Sequence, residues 1–224
     1  MCWQHTQTSY NTTMHTVDPY GWTILKNNKG YYTGSHTGYG VPEAIRTSVV
    51  AQKPIAKYVK EKNIVVEIGV YYGFTTRYLS TVFKTVHTFD FDNDVAECFR
   101  INMKKFGCSN VISHNHALGD CEETITYPYE KYSSTYMSAK KSKTKQFQVK
   151  PLDDCDIPTV DFMIIDAENY TPNVLIGGAS TIDKNKPPIV CKISGHDTLV
   201  KNLGYKKIQQ VTDNDAIYLH KEQI

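Results

Sequence analysis

Short apolar runs alternate with amphipathic stretches over most of this chain, and that alternation sets the expected fold. Ile64-Val65-Val66 is β-branched and bounded by polar residues, the pattern of a parallel strand covered on both faces. A glycine-containing turn follows, then a segment in which Tyr78, Leu79, Val82 and Phe83 recur at helical spacing. The succession then repeats. Val86 to Asp90 reads as a second strand, followed by a helix from Val95 to Phe106. Asn110 to Asp120 forms a third strand with its exit, and Val160 to Asp166 a fourth. A helix from Thr171 to Ile182 and a fifth strand from Pro188 to Ser194 come next. Alternating strands and helices predict an α/β fold with a parallel, doubly wound sheet. Two more strand-like runs, Tyr205 to Val211 and Ala216 to Leu219, close the chain, and there is no internal repeat.

The N-terminal part is different. Met1 to about Gly40 shows no sustained period, yet it carries Trp3, Tyr10, Tyr20, Trp22, Tyr31, Tyr32 and Tyr39. That many aromatic residues argues against a plain disordered tail and for an irregular arm packed on the core. Pro42 to Lys62 reads as helix, with Ile45, Val49, Ile55, Tyr58 and Val59 as its apolar positions. Pro54 kinks it or divides it in two. The expected organisation is an arm and helical segment at 1–62 and one α/β domain at 63–224, interrupted by an insertion at 121–151.

The candidate chemistry begins at Glu67-Ile-Gly69-Val-Tyr71-Tyr-Gly73-Phe-Thr75. A glycine-rich turn between strand and helix lets a ligand approach the backbone and points helix N–H groups at it. The spacing is G-x-x-x-G rather than the dinucleotide G-x-G-x-x-G, with a carboxylate two positions before the first glycine. This fits a site for S-adenosylmethionine (SAM), whose amino-acid end would meet Glu67, Gly69, Tyr71, Gly73 and Thr75. The second strand ends in Asp90, 17 positions after Gly73. A carboxylate about 20 residues on, at the tip of the second strand, hydrogen-bonds ribose hydroxyls in nucleotide-binding βαβ units. Phe91 beside it, with His116 and Ala117 at the third-strand exit, completes the candidate cofactor set. Asp92 and Asp94 read instead as N-terminal caps of the next helix.

From Ile64 to Ser194 the ordered motifs resemble the FkbM-like branch of the class I SAM-dependent methyltransferases. The resemblance rests on the acidic-x-Gly start, Phe89-Asp90, Ala117-Leu118-Gly119-Asp120, Leu152-Asp153-Asp154, Asp166-Ala-Glu168 and Val174-Leu-Ile-Gly177. It implies a mostly parallel seven-stranded, Rossmann-like sheet closed by a sixth and an antiparallel seventh strand. It also implies SAM as cofactor and methylation of a hydroxyl on a carbohydrate or glycosylated metabolite. The chain departs from the family's Asp-x-Glu-Gly-x-Glu, having Asn169-Tyr170-Thr171 after Glu168, and carries Lys192 where the family usually has a Glu. Asp166, at the fourth-strand tip, is the first candidate for handling the acceptor proton as well as a cofactor contact. Glu168, Lys192 and the following His196 would open on the same cleft.

Two rival readings stay open. RNA ribose 2′-O-methyltransferases use a Lys–Asp–Lys–Glu set, and Asp166 with Lys192 could supply its middle pair. Lys57, Lys60 and Lys62 compete for the first place, and no clear Glu fills the last. The other rival is a non-catalytic SAM- or nucleotide-binding subunit. The insertion, with Tyr127, Tyr129, Tyr132, Tyr136 and the run Lys140 to Lys145, reads as a solvated hairpin or loop or as an acceptor-recognition lid.

Composition narrows the field only a little. At 224 residues and 40% hydrophobic content the chain can bury one large core, and a net charge of +2 does not by itself argue for nucleic acid. The six cysteines show no metal-ligand spacing, and no metal is expected. With no apolar leader and no membrane-length run, the expectation is a reduced, cytoplasmic protein acting on a small-molecule or glycan acceptor, with no membrane partner. Oligomeric state is not legible.

Overall fold

The computed structural model describes residues 15–17, 21–25, 48–129, 143–192 and 197–224. A seven-stranded sheet runs through its centre. The strands are β3 (Ile64–Ile68), β4 (Thr85–Phe89), β5 (Val111–His114), β9 (Phe162–Ile165), β10 (Ile189–Lys192), β11 (Tyr205–Gln210) and β12 (Asp215–His220), in spatial order β11-β12-β10-β9-β3-β4-β5. All neighbouring pairs are parallel except the two that involve β12. The predicted α/β class and closing antiparallel strand are therefore present. The chain winds outward from β3 through β4 to β5, returns to β9 on the other side of β3, and continues to β10. The strand order reverses between β3 and β9, where ligands bind in open α/β sheets.

Both faces of the sheet are buried, which explains the near-continuous apolar runs. On one face Val66, Ile68, Phe89, Met163 and Ile165 pack against Val174, Leu175 and Ile182. On the other, Val65, Val86, Phe162, Ile164 and Val190 pack against Val50, Ile55, Leu79 and Phe83. The helices are α1 (Lys53–Tyr58), α2 (Phe74–Val82), α3 (Asn93–Lys105), α4 (Thr171–Gly177), α5 (Ala179–Asn185) and α6 (Asp197–Asn202).

Several expectations need correction. The segment before β3 changes at Pro54 as expected, Ser48–Gln52 being a π-helical turn and Pro54 lying in the first turn of α1. It ends at Tyr58 rather than Lys62, however, and residues 42–47 lie outside the described ones. The 171–182 helix is two helices broken at Gly178. A Cβ on the preceding Gly177 would be driven into the Gly119 carbonyl, so this close approach of two backbones demands glycine. The third strand also splits. β5 stays in the large sheet, while β6 (Ala117–Leu118) joins β7 (Glu123–Tyr129) and β8 (Lys143–Lys150) in a small sheet of order β6-β8-β7. The described part of the insertion is an antiparallel strand pair, the hairpin form of the two expected. Residues 130–142, with Tyr132, Tyr136 and Lys140, lie outside the described residues.

The N-terminal arm contributes β1 (His15–Val17) and β2 (Thr23–Leu25), an antiparallel pair. Trp22 packs between Phe74 and Phe106, with ring centroids 4.5 Å away in each case. The Arg77 guanidinium lies 4.0 Å from the Phe106 ring centre. The described strand pair of the arm thus lies against the core through Trp22, whereas Trp3, Tyr10, Tyr20, Tyr31, Tyr32 and Tyr39 lie outside the described residues.

Candidate active site

The turn after β3 is held by backbone. Gly69 has φ +78°, its N–H donates to Phe89 O at 2.9 Å, and a Cβ there would be driven into the Asp166 carbonyl. The Asp166 N–H in turn donates to Ile68 O at 2.9 Å. The tips of β3, β4 and β9 are thereby tied together at the switch point. Gly73, at φ +89°, ends the turn and opens α2.

Asp90 does something its spacing did not reveal. Its Oδ2 accepts the N–H groups of Val70 at 3.1 Å and Tyr71 at 3.0 Å, and its Oδ1 accepts that of Asp92 at 3.1 Å. Burial raises its carboxyl above the ordinary range, while the three N–H donors pull the other way. The carboxylate latches the glycine turn. Oδ2 thus accepts two N–H groups and Oδ1 one, which leaves Oδ1 a lone pair for a further donor.

Tyr71 is held in the left-handed region at φ +53°, with its ring centroid 3.9 Å from that of Tyr72. Glu67 is 3% exposed and accepts the Thr76 hydroxyl at 2.7 Å, so its carboxylate is turned in under α2. Thr75 beside it is also buried. Asp92 occupies the predicted cap position, its carbonyl accepting the Ala96 N–H at 2.8 Å.

On the presumed base side, Phe91 stacks on Phe147 of β8 at 4.2 Å, bringing the inserted strand pair over the tip of β4. His116 is half-buried, edge-on to Phe89 at 5.4 Å, and Ala117 begins β6. Two histidines that the sequence reading passed over lie beside them. His87 Nδ1 and His114 Nε2 are 3.1 Å apart, and His114 stacks on Phe89 at 4.4 Å. Burial lowers both, His114 to about 4. They were missed because their strands are 27 residues apart and only register brings them together.

On the other side of the switch point, Asp166 and Lys192 meet as expected. Parallel pairing places Cys191 opposite Ile165, so the next residue of each strand faces its counterpart. Lys192 Nζ lies 3.2 Å from Asp166 Oδ1, with side chains 18% and 21% exposed. Lys192 is also paired in register with Asp215 of β12. Glu168 begins the short 3₁₀ turn Glu168–Tyr170, but its side chain and His196 lie outside what the structure describes. Lys57, Lys60 and Lys62 precede β3 and so sit toward the opposite end of the sheet from Asp166. Two contacts tie this side to the inserted sheet. The Tyr170 hydroxyl donates to Glu123 at 3.3 Å, and burial pushes that phenol up to about 12. Asn173 donates to Asp120 at 3.0 Å.

Among the described residues no cluster of three or more metal-ligating side chains forms, and no helix is long and apolar enough to cross a membrane.

No protein-family model and no curated protein sequence matches this chain. Solved structures do. One is methyltransferase FkbM from Methylobacillus flagellatus KT, at TM-score 0.55 and 15% identity, over 71% of this chain. This chain spans only 44% of that one. Another is magnesium protoporphyrin IX methyltransferase from Synechocystis PCC 6803 with bound SAM, at TM-score 0.54 and 7% identity, covering 90% of this chain and 88% of that one. A third is ribosomal protein L11 methylase from Lactobacillus delbrueckii subsp. bulgaricus, at TM-score 0.53 and 10% identity, covering 79% of each. At these identities the likeness is one of fold: the chain has the Rossmann-like fold of the class I methyltransferases.

Proposed function

We propose that this chain is a SAM-dependent O-methyltransferase whose acceptor is a hydroxyl on a carbohydrate or glycosylated metabolite. The observation that carries the reading is the switch point itself. The Gly69 backbone closes on Asp166 there, and Asp166 holds Lys192 at 3.2 Å. The residues fit the cofactor. The turn after β3 is held in left-handed backbone at Gly69, Tyr71 and Gly73, and Asp90 at the β4 tip keeps a lone pair on Oδ1 to offer. Structures of the same fold are solved with SAM or AdoMet bound. Gly69, Tyr71, Gly73 and Thr75 would border the amino-acid end, with Glu67 supporting the turn from beneath. Asp90 would meet the ribose, and Phe91, His116 and Ala117 the base.

Bound SAM would supply a methyl group already activated on a sulfonium centre, so little is asked of the protein beyond alignment and proton removal. Asp166 accepts the acceptor hydroxyl's hydrogen bond, aims its lone pair at the switch point, and takes the proton as the oxygen–carbon bond forms. Lys192 fixes the Asp166 carboxylate from the side and offers the acceptor a second contact. Glu168 stands as the reserve base. The inserted sheet, tied to this side through Tyr170 and Asn173, would help hold the acceptor. The protein would work in the cytoplasm.

The Asp166–Lys192 contact also favours a second reading, the RNA ribose 2′-O-methyltransferase, in which the ammonium stabilises a developing alkoxide. The position of Lys57, Lys60 and Lys62 away from the cleft weighs against it. Methyl transfer from radiolabelled SAM to separate glycan, small-molecule and RNA pools distinguishes these. Label in the first two, reduced about 10²–10⁴-fold in Asp166→Asn with S-adenosylhomocysteine (SAH) binding kept, is the expected result. Label in RNA alone transfers the protein to the second reading. Binding of SAH with no transfer to any pool makes it a non-catalytic subunit.

A further inference from the structure

The feature least explained by the reading above is Asn102. It lies on α3, far in sequence from the glycine turn, and is fully buried. Its Oδ1 accepts the Thr23 N–H at 2.7 Å, and its Nδ2 donates to Thr23 O and to Tyr72 O, each at 3.0 Å. One amide thus holds both backbone groups of an arm residue and, with the same nitrogen, a carbonyl of the proposed cofactor turn. A buried amide of this kind is costly to leave unmatched, so its three bonds stand or fall together.

What the third bond holds is the peptide after Tyr72, next to a strained residue. Tyr71 sits at φ +53° without being glycine. Such a residue costs on the order of 1 kcal/mol and persists only when its surroundings over-determine it. Here two side chains do so from opposite sides. Asp90 takes the N–H groups of Val70 and Tyr71, and Asn102 takes the carbonyl of Tyr72. Asp90 belongs to the cofactor side already. Asn102 takes its bearing from β2, whose seat is fixed by Trp22 between Phe74 and Phe106 and by Lys105 Nζ on the Gly21 carbonyl.

We propose that Asn102 is a positioning residue that couples docking of the N-terminal arm at Thr23 to the Tyr71–Tyr72 conformation the cofactor requires. This rests on the methyltransferase reading. Through Thr23 the described part of the arm is then part of the cofactor machinery. Because coupling between two equilibria is reciprocal, SAH must tighten the arm by the same factor by which the arm tightens SAH.

The test is amide hydrogen exchange on the full chain, with calorimetry of SAH binding. Saturating SAH is expected to slow exchange at the Thr23 amide at least tenfold. Asn102→Ala and Thr23→Pro, which removes the donor, are each expected to weaken SAH at least tenfold. Ile182→Ala, on α5 and away from both the arm and the turn, lowers stability but leaves the Asn102 bonds, and should keep SAH affinity within about threefold. Unchanged Thr23 exchange in the wild-type protein overturns the proposal, and needs no variant to fold. So does an Asn102→Ala protein that melts cooperatively and binds SAH as the wild type does. Equal weakening by Ile182→Ala also overturns it, by making the lost affinity a general effect of lost stability. Failure of the wild type to bind SAH at all refutes the parent reading instead.

Discussion

The two sides of the switch point are built on different terms. On the β3–β4 side most constraints are backbone groups held by side chains, Asp90 on three N–H groups and Asn102 on three backbone partners, with Glu67 on the Thr76 hydroxyl beneath them. On the β9–β10 side the central contact is one ion pair between two partly exposed side chains. The first arrangement fixes a shape that cannot be adjusted without breaking several bonds. The second can be retuned by exchanging one side chain. A site that takes one cofactor but must choose among acceptors is served by that division.

If the contrast is right, the largest effect belongs to Gly69→Ala. The new Cβ meets the Asp166 carbonyl and the backbone is held at φ +78°, so neither relief is open. Urea unfolding should show a loss of about 3–5 kcal/mol, the range of the most damaging single substitutions. A loss under about 1 kcal/mol would mean the β3 and β9 tips part easily, and the contrast would fail.

Next comes Asp90→Ala. Removing the carboxylate frees three N–H groups and the proposed ribose contact together, and SAH affinity should fall by roughly 1.5–3 kcal/mol, as for hydrogen bonds to a charged group. Unchanged affinity in a folded variant removes Asp90 from the site. On the other side, Lys192→Ala should leave the unfolding free energy within about 1 kcal/mol of the wild type, since the pair is partly solvated. Its kinetic signature decides between readings. A rise in KM fits a positioning lysine, whereas a loss of kcat as deep as that of Asp166→Asn fits an alkoxide stabiliser.

This division also explains what could be read from residues alone. Backbone constraints leave local marks: glycines at 69 and 73, an acid at strand tip 90, β-branched runs in covered strands. Those marks located the turn, the sheet and the Asp166 tip. Long-range partners leave none. Nothing near Asn102 announces Thr23, which is 79 residues away, and nothing near Phe91 announces Phe147. The break of the 171–182 helix was equally hidden, because it comes from Gly177 meeting Gly119 across the fold. Lys192 beside Asp166 was legible only because strand tips and parallel order were already known.

A smaller effect probes the strain itself. Tyr71→Gly relieves the left-handed φ at a cost in unfolded-chain entropy, so its unfolding free energy should change by no more than about 1 kcal/mol. SAH affinity should nonetheless fall, because the turn then relaxes toward other conformations. Wild-type affinity in this variant would mean that glycine serves as well as tyrosine and that the latches act on something else.

The smallest effect is a pH dependence confined to the cofactor side. His87 and His114 share one hydrogen bond between ring nitrogens 3.1 Å apart, which requires one donor and one acceptor. Protonating the acceptor ring sets two donors face to face, and burial already disfavours the charge. His114 is therefore lowered from 6.5 to about 4 in the folded chain, which binds fewer protons than the unfolded chain between those values. Stability from this group is full above pH 6.5 and drains away as pH falls toward 4. One proton allows a slope of at most about 1.4 kcal/mol per pH unit, and partial exposure should reduce it well below that. Urea midpoints at pH 7, 6 and 5 should fall in that order. His114→Phe keeps the stack on Phe89 and removes the titrating ring, so its midpoints should fall less steeply. An identical fall in both proteins would place the acid sensitivity elsewhere, in carboxylates such as Asp153, whose lowered carboxyl loses its bonds to the Ser180 and Thr181 N–H groups at lower pH.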